Sequence, residues 1–171
     1  MSDPPPAEFK ALLERRRRLG VDRHDEVWEG VLHLNPGPHG RHARMQAQLI
    51  QLIGPFASDA QLDVLGEANL GAAGDFRVPD AMLQRPGEDR LYNPTAALVF
   101  EVVSPGDETW EKLGFYAAHG VEELLIVDPQ ERAVHWLALD GEAYRPAARS
   151  GLVDLGADEL AERIDWPALE D

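Results

Sequence analysis

The 171-residue chain has no cysteine. Disulfides and thiolate metal sites are thereby excluded, any metal must be held by oxygen or imidazole, and a reducing compartment is compatible. Basic side chains are scarce: 16 lysines and arginines stand against 31 acids, for a formal net charge of −15. Such an excess argues against a general electrostatic grip on nucleic acid. Lysine itself is nearly missing, with only Lys10 and Lys112 beside fourteen arginines. That bias follows genome composition and carries no chemistry, but it makes a lysine inside a motif conspicuous. No apolar run approaches the ~18 residues of a membrane helix, so no membrane contact is expected. The start, Met1-Ser2-Asp3 and three prolines, lacks the basic and apolar regions of a secretory signal, and the expected location is the cytoplasm. A glycine-rich phosphate loop, a serine nucleophile elbow and a dinucleotide fingerprint are absent as well.

What is present suits one globular domain, with 44 % hydrophobic residues and no internal repeat. Charge is uneven. Residues 1–60 carry eight basic and eight acidic side chains, whereas 61–171 carry eight and 23. The N-terminal third, with its Arg15–Arg18 run, is thus the better place for a phosphate backbone, although such a run is usually a solvated helix face. Residues 1–23 read as a Pro-rich leader and a charged helix (Ala7 to about Leu19), 24–146 as the core domain and 147–171 as an acidic extension. In the core, Val27–Leu34 reads as a strand and His42–Phe56 as a helix with its apolar stripe at Met45, Leu49, Leu52, Ile53 and Phe56. Strands are expected at 61–70, 76–83, 96–103, 122–127 and 133–139. A helix is expected at 108–119, a loop at 84–94 and a hairpin at Asp140-Gly141. The middle order is helix, strand, strand, strand, helix, strand. It predicts an α/β fold with a mixed central sheet flanked by helices, including a parallel crossover.

Two acids stand out. Glu101 lies within Ala97-Leu98-Val99-Phe100-Glu101-Val102-Val103, a run apolar on both faces, where an unpaired carboxylate is costly. It needs a cation or base as partner, unless the strand is an exposed edge. Asp80 follows Pro79 in a strand-like run. Proline removes a ladder donor, so the dipeptide marks an edge, a bulge that re-aims the acid, or a plain Pro-Asp turn. Together, two carboxylates from neighbouring strands suit Mg²⁺ or Mn²⁺. Lys112 falls on the helix after the Glu101 strand, where ligands gather in open sheets, or else pairs on the surface with Glu108. His39 and His42, three apart, lack a third ligand for zinc. Trp28, Trp110 and Trp136 suit base stacking or, more simply, packing.

Several stretches resemble the Uma-two family: Glu26-Val27-Trp28-Glu29-Gly30, His42, Val78-Pro79-Asp80, Val99 through Asp107, Glu111-Lys112-Leu113, Tyr116 through Val121 and Leu125 through Pro129. The similarity covers roughly residues 24–146. That family is similar to restriction-endonuclease-like enzymes of the PD-(D/E)XK superfamily, so the resemblance implies an αβββαβ core. It implies Asp80 and Glu101 as catalytic, metal-binding acids. The superfamily's lysine position, two after the acid, is Val103 here, and the resemblance puts Lys112 in that role instead. Helix 42–56 has no acid to serve as an extra ligand, which leaves Glu26 or His42 as substitutes. The implied activity is metal-dependent cleavage of DNA by a bacterial homodimer. A catalytically idle interaction or regulatory module of the same fold is the alternative, favoured by the acidity. A hydrolase of small phosphodiesters is the third reading.

Overall fold

Alanine, leucine, glutamate and arginine, all good helix formers, carry α1 from Ala7 to Leu19, and Gly20 closes it in the left-handed region (φ 67°). The computed structural model describes residues 6–106 and 108–168. Most of the Pro-rich leader, Asp107 and residues 169–171 lie outside the described residues. No side chain of α1 is buried. Arg16 ties the helix down through Asp25 and the carbonyls of Val21 and Asn35.

The expected strand 27–34 is instead a hairpin of β1 (Glu26–Trp28) and β2 (Val31–His33), with Trp28 facing Val31. Glu29 and Gly30 both have positive φ, 50° and 84°, as a tight two-residue hairpin turn of the favoured hand requires. Glutamate in the first turn position hid that turn from the sequence. Helix α2 (Gly40–Asp59) buries Met45, Leu49 and Ile53 of the expected stripe together with Ala57, while Leu52 and Phe56 are partly buried against the same core. The next two expected strands are four: β3 (Asp63–Leu65), β4 (Asn69–Ala72), β5 (Asp75–Arg77) and β6 (Ala81–Gln84). Between β5 and β6, Pro79 cannot donate to a ladder, and there the chain leaves one sheet for another. The expected loop 84–94 contains a short strand, β7 (Tyr92–Asn93), parallel to β4.

Strand β8 (Leu98–Val102) is buried at every position. A 3₁₀ turn (Thr109–Lys112) and a short α3 (Leu113–Ala118) replace the single expected helix, with Gly114 weakening its continuity. Strands β9 (Glu123–Asp128), β10 (Ala133–Asp140) and β11 (Ala143–Pro146) follow, then α4 (Ala157–Arg163). The larger sheet has six strands in the order β11-β10-β9-β8-β6-β3. It is mixed, because β8 and β9 run parallel and the other neighbours antiparallel. Elements α2, β3, β6, β8, α3 and β9 give the αβββαβ order. Strands β4 and β5 are an excursion from β3 to β6 into a second, five-stranded sheet, β2-β1-β5-β4-β7, which sequence periodicity did not separate.

Two cores hold the six-stranded sheet. On one face Leu98, Phe100 and Val102 pack with α2, Trp136 and the C-terminal residues Val153, Leu155, Leu160 and Ile164. On the other, Met82, Val99, Leu124 and Ile126 meet Tyr116 of α3 and Leu70 of the small sheet. Among the described residues no helix is long and apolar enough to cross a membrane.

Glu123, at the start of β9, fastens the C-terminal segment to the sheet. It is 5 % exposed and accepts hydrogen bonds from Trp136 Nε1 (2.7 Å), Ser150 Oγ (2.5 Å) and the Gly151 amide (2.6 Å). Glu123→Ala should leave these donors stranded and destabilise the protein by about 3 kcal/mol. Urea denaturation should show it as a lowered midpoint, while Glu142→Ala at an exposed turn stays within about 0.5 kcal/mol of the parent.

Candidate active site

Register brings the two anomalous acids together. Strands β6 and β8 pair with Ala81 opposite Phe100, so the next step along the ladder sets Asp80 opposite Glu101. Glu101 shares the strand face of Val99, towards α3, and is 5 % exposed. Asp80 stands where the chain emerges from Pro79, half-buried, its Oδ2 accepting the Val102 amide at 2.7 Å. Two residues one turn apart on α2 hold it from the other side. His42 Nε2 lies 2.6 Å from Asp80 Oδ1, and Gln46 Nε2 donates to the Asp80 carbonyl at 2.5 Å. His42 Nδ1 in turn lies 2.9 Å from Ser104 Oγ.

Lys112 points inward. Its ammonium donates to Glu26 Oε1 at 3.0 Å and to Glu101 Oε1 at 3.3 Å, and its side chain is 12 % exposed. Glu108, the surface alternative, lies against His33 instead. Tyr116, one helical turn beyond Lys112, is fully buried and donates its hydroxyl to the same Glu101 oxygen. Glu101 Oε2 carries no hydrogen bond among the described residues, and Glu101 lines the adjoining cleft.

The electrostatics follow from this crowding. Burial pushes the Glu101 carboxyl up to about 7, with Lys112 opposing the rise and Asp80 adding to it. Burial alone would lower the Lys112 amine, but the charges of Glu101 and Glu26 more than offset it and hold the amine protonated. Burial, reinforced by Glu101, raises the Tyr116 hydroxyl far above its usual range, so it remains a donor.

A cleft of about 650 Å³ opens over these groups, bordered by the hairpin, residues 34–39 and the segment after β8. Among the described residues its acids are Glu26, Glu67, Asp80, Glu101 and Glu108, and its one lysine is Lys112. The donor set suits a hard divalent cation. It is all oxygen, and Asp80 and Glu101 face each other with Glu101 Oε2 unbonded among the described residues. Among the described residues no three His, Asp or Glu side chains are arranged around one metal position. Two carboxylates would therefore supply only part of a shell, as is usual for Mg²⁺, which retains several waters. The histidines do not converge. His39 caps α2, its Nδ1 accepting the Arg41 amide at 3.3 Å, while His42 serves Asp80.

The structure also reveals supports that the sequence did not show. Both Glu26 oxygens are engaged: Oε1 by the Val78 amide (2.7 Å) and Lys112, Oε2 by Trp28 Nε1 (2.8 Å). The Trp28 ring stacks on His33 (4.3 Å between centroids) and under the Arg77 guanidinium (4.3 Å), which also covers Phe115 at 4.0 Å. Among the described residues Arg77 Nε is buried without a hydrogen-bond partner, held between the two rings. Gly71 admits this column: a Cβ there would sit 2.9 Å from Phe115 Cζ and 2.4 Å from the Asp75 carbonyl. Trp136 is core and Trp110 an exposed ring edge-on to His135. A four-residue spacing was the available signal for Tyr116 beside Lys112 and for Gln46 beside His42.

No curated protein matches the chain. Among solved structures it is similar to a protein from Anabaena variabilis described as a "putative nuclease belonging to DUF820". That match has a TM-score of 0.66 and 17 % identity, covering 81 % of this chain and 90 % of that one. A likeness at this identity shows a shared fold. A DrdV–DNA complex also matches, at 17 % identity and a TM-score of 0.45, over 87 % of this chain and 12 % of that one. The Uma2 family model, described as "Putative restriction endonuclease", matches residues 6–162, and the chain belongs to that family.

Proposed function

We propose that this protein is a metal-dependent endonuclease that hydrolyses phosphodiester bonds in DNA. In this reading Asp80 and Glu101 hold Mg²⁺ or Mn²⁺ and Lys112 is the catalytic amine. The observation that carries it is the inward course of Lys112, whose ammonium reaches Glu101 in the cleft and leaves Glu108 to His33. Family membership supports the nuclease class. When bound, the cation supplies Lewis-acid activation of water and neutralises charge on a scissile phosphate.

The protein's own groups divide the remaining work. Asp80 and Glu101 offer oxygens to the cation. Tyr116 and Lys112 occupy Glu101 Oε1, so Oε2 is the oxygen turned to the cleft. His42 and the Val102 amide fix the Asp80 carboxylate. An ammonium has three donors and Lys112 spends two, leaving one for a phosphate oxygen. Because its neighbours hold it charged, Lys112 stabilises developing negative charge and does not act as a general base. The same reading takes the enzyme to be a cytoplasmic homodimer, to be seen by light scattering at twice 18.9 kDa. The acids of the cleft favour a second reading, a catalytically idle module of the same fold. Assays on plasmid, single-stranded DNA and a small phosphodiester with Mg²⁺ or Mn²⁺ separate the two.

Three outcomes are expected. Lys112→Met should lower cleavage about 10²–10³-fold with fold and metal binding retained, and Lys112→Arg should rescue poorly because a planar fork does not fit a compact ammonium site. A Lys112→Met protein cutting as fast as the parent would overturn the assignment. Asp80→Ala should abolish the calorimetric response to Mg²⁺ and Mn²⁺; an unaltered response would remove Asp80 from the metal site. Lastly, a cation must displace the proton that Glu101 carries below about pH 7. Affinity should therefore rise with pH, by up to about tenfold per unit, and level off above 7. Flat affinity between pH 5.5 and 8.5, measured by the same calorimetry, would contradict it.

A further inference from the structure

We propose that Glu26 is a positioning residue that fixes the Lys112 ammonium and is not a third metal ligand. This rests on Lys112 serving the cleft as described above. Glu26 is 1 % exposed, and its two oxygens face three protein donors, Val78 N, Trp28 Nε1 and Lys112 Nζ. Glu101, by contrast, keeps Oε2 for the cleft. Lys112 lies closer to Glu26 (3.0 Å) than to Glu101 (3.3 Å), so Glu26 defines where the ammonium rests. The same carboxylate holds the Val78 amide, two residues before Asp80, across the proline that cannot donate. One side chain of the small sheet thus sets both the amine and the segment that presents Asp80.

Its own support closes a ring. Trp28 holds Glu26 and lies under Arg77, Arg77 lies on Phe115, and the next residue, Tyr116, holds Glu101, which meets Lys112. Glu26, 1 % exposed with three buried donors on its two oxygens, has less to give a cation than Asp80, which is 13 % exposed and takes one partner on each oxygen. The geometry of Glu26 suits a fixed counter-anion.

The chain has only two lysines, and Lys10 is exposed, so ¹⁵N-lysine labelling of the full chain reports Lys112 directly. In the parent, the Lys112 ammonium should give a resonance protected from solvent exchange and displaced from that of Lys10. In Glu26→Gln it should broaden beyond detection or move to the Lys10 position, while Mn²⁺ affinity by calorimetry stays within about threefold of the parent. Cleavage should fall about 10–100-fold in kcat with KM little changed, and Glu26→Gln should add nothing to Lys112→Met. Trp28→Phe keeps the ring stack and the Glu26 charge but removes one donor, and it should give a partial effect in each measurement. An unchanged Lys112 resonance in Glu26→Gln overturns the proposal; should that variant not fold, an unchanged resonance in Trp28→Phe does so. Loss of Mn²⁺ binding in Glu26→Gln overturns it too, by making Glu26 a ligand. A parent that cleaves none of the three substrates overturns the nuclease reading, while the ammonium and Mn²⁺ measurements still decide the role of Glu26.

Discussion

A lysine ammonium held between two buried carboxylates is the interaction on which the rest of the site depends. Taking such ions out of water costs several kcal/mol each, on the order of the whole stability margin of a domain, unless geometry and hydrogen bonding repay it. Here the repayment comes from three separate parts of the chain. Glu26 arrives on β1, Glu101 on β8 and Lys112 at the end of the 3₁₀ turn. Lys112 joins the two acids, which are held in turn by Val78 and Trp28 on one side and Tyr116 on the other. The small sheet, the large sheet and their connecting segment are therefore fastened at one point, beside the cleft.

That fastening explains the odd path between β5 and β6. Pro79 interrupts the ladder, the chain passes from one sheet to the other, and Asp80 emerges at the junction next to Glu101. A continuous strand would have given Asp80 regular ladder partners. The break instead turns its side chain to His42 and the Val102 amide, and exposes its carbonyl to Gln46. The 3₁₀ turn does comparable work for Lys112, setting it at the head of α3 so that it and Tyr116 reach Glu101 from the same side.

What was legible in the sequence was what violated a local rule. Glu101 broke a run apolar on both faces, Pro79-Asp80 broke a strand, and Lys112 was one of two lysines in the chain. The large sheet was legible too, because β8 apart from Glu101 and β9 between Glu123 and Asp128 are apolar, and their connecting helix implies a parallel pair. Contacts made across long stretches of chain were not. Glu26 meets Lys112 across 86 residues and His42 meets Asp80 across 38, and neither separation leaves a periodic mark. Tyr116 looked like one more core aromatic, since its hydroxyl matters only beside a carboxylate placed by another element. The Glu29-Gly30 turn was hidden because glutamate rarely takes a positive φ. The second sheet merged into the first because 61–70 and 76–83 each read as one strand where the chain passes between sheets.

The net charge of −15 bears on the site less than it first suggests. Screening limits the reach of exposed charges to about 8 Å at physiological salt, so a phosphate in the cleft responds chiefly to the groups that line it. Among the described residues, three of the cleft's acids lie against a basic side chain. Glu26 faces Lys112, Glu67 lies 3.3 Å from His24, and Glu108 lies 3.3 Å from His33. Asp80, 2.6 Å from His42, and Glu101 adjoin each other, two carboxylates whose repulsion helps raise Glu101 to about 7. One divalent cation between them would remove that repulsion and draw the Glu101 proton off. It would also present positive charge in the one part of an acidic protein where the proposed reaction requires an anion to approach. The acidity of the chain and a phosphodiester substrate are then compatible through a single ion, and the dependence on that ion should be absolute.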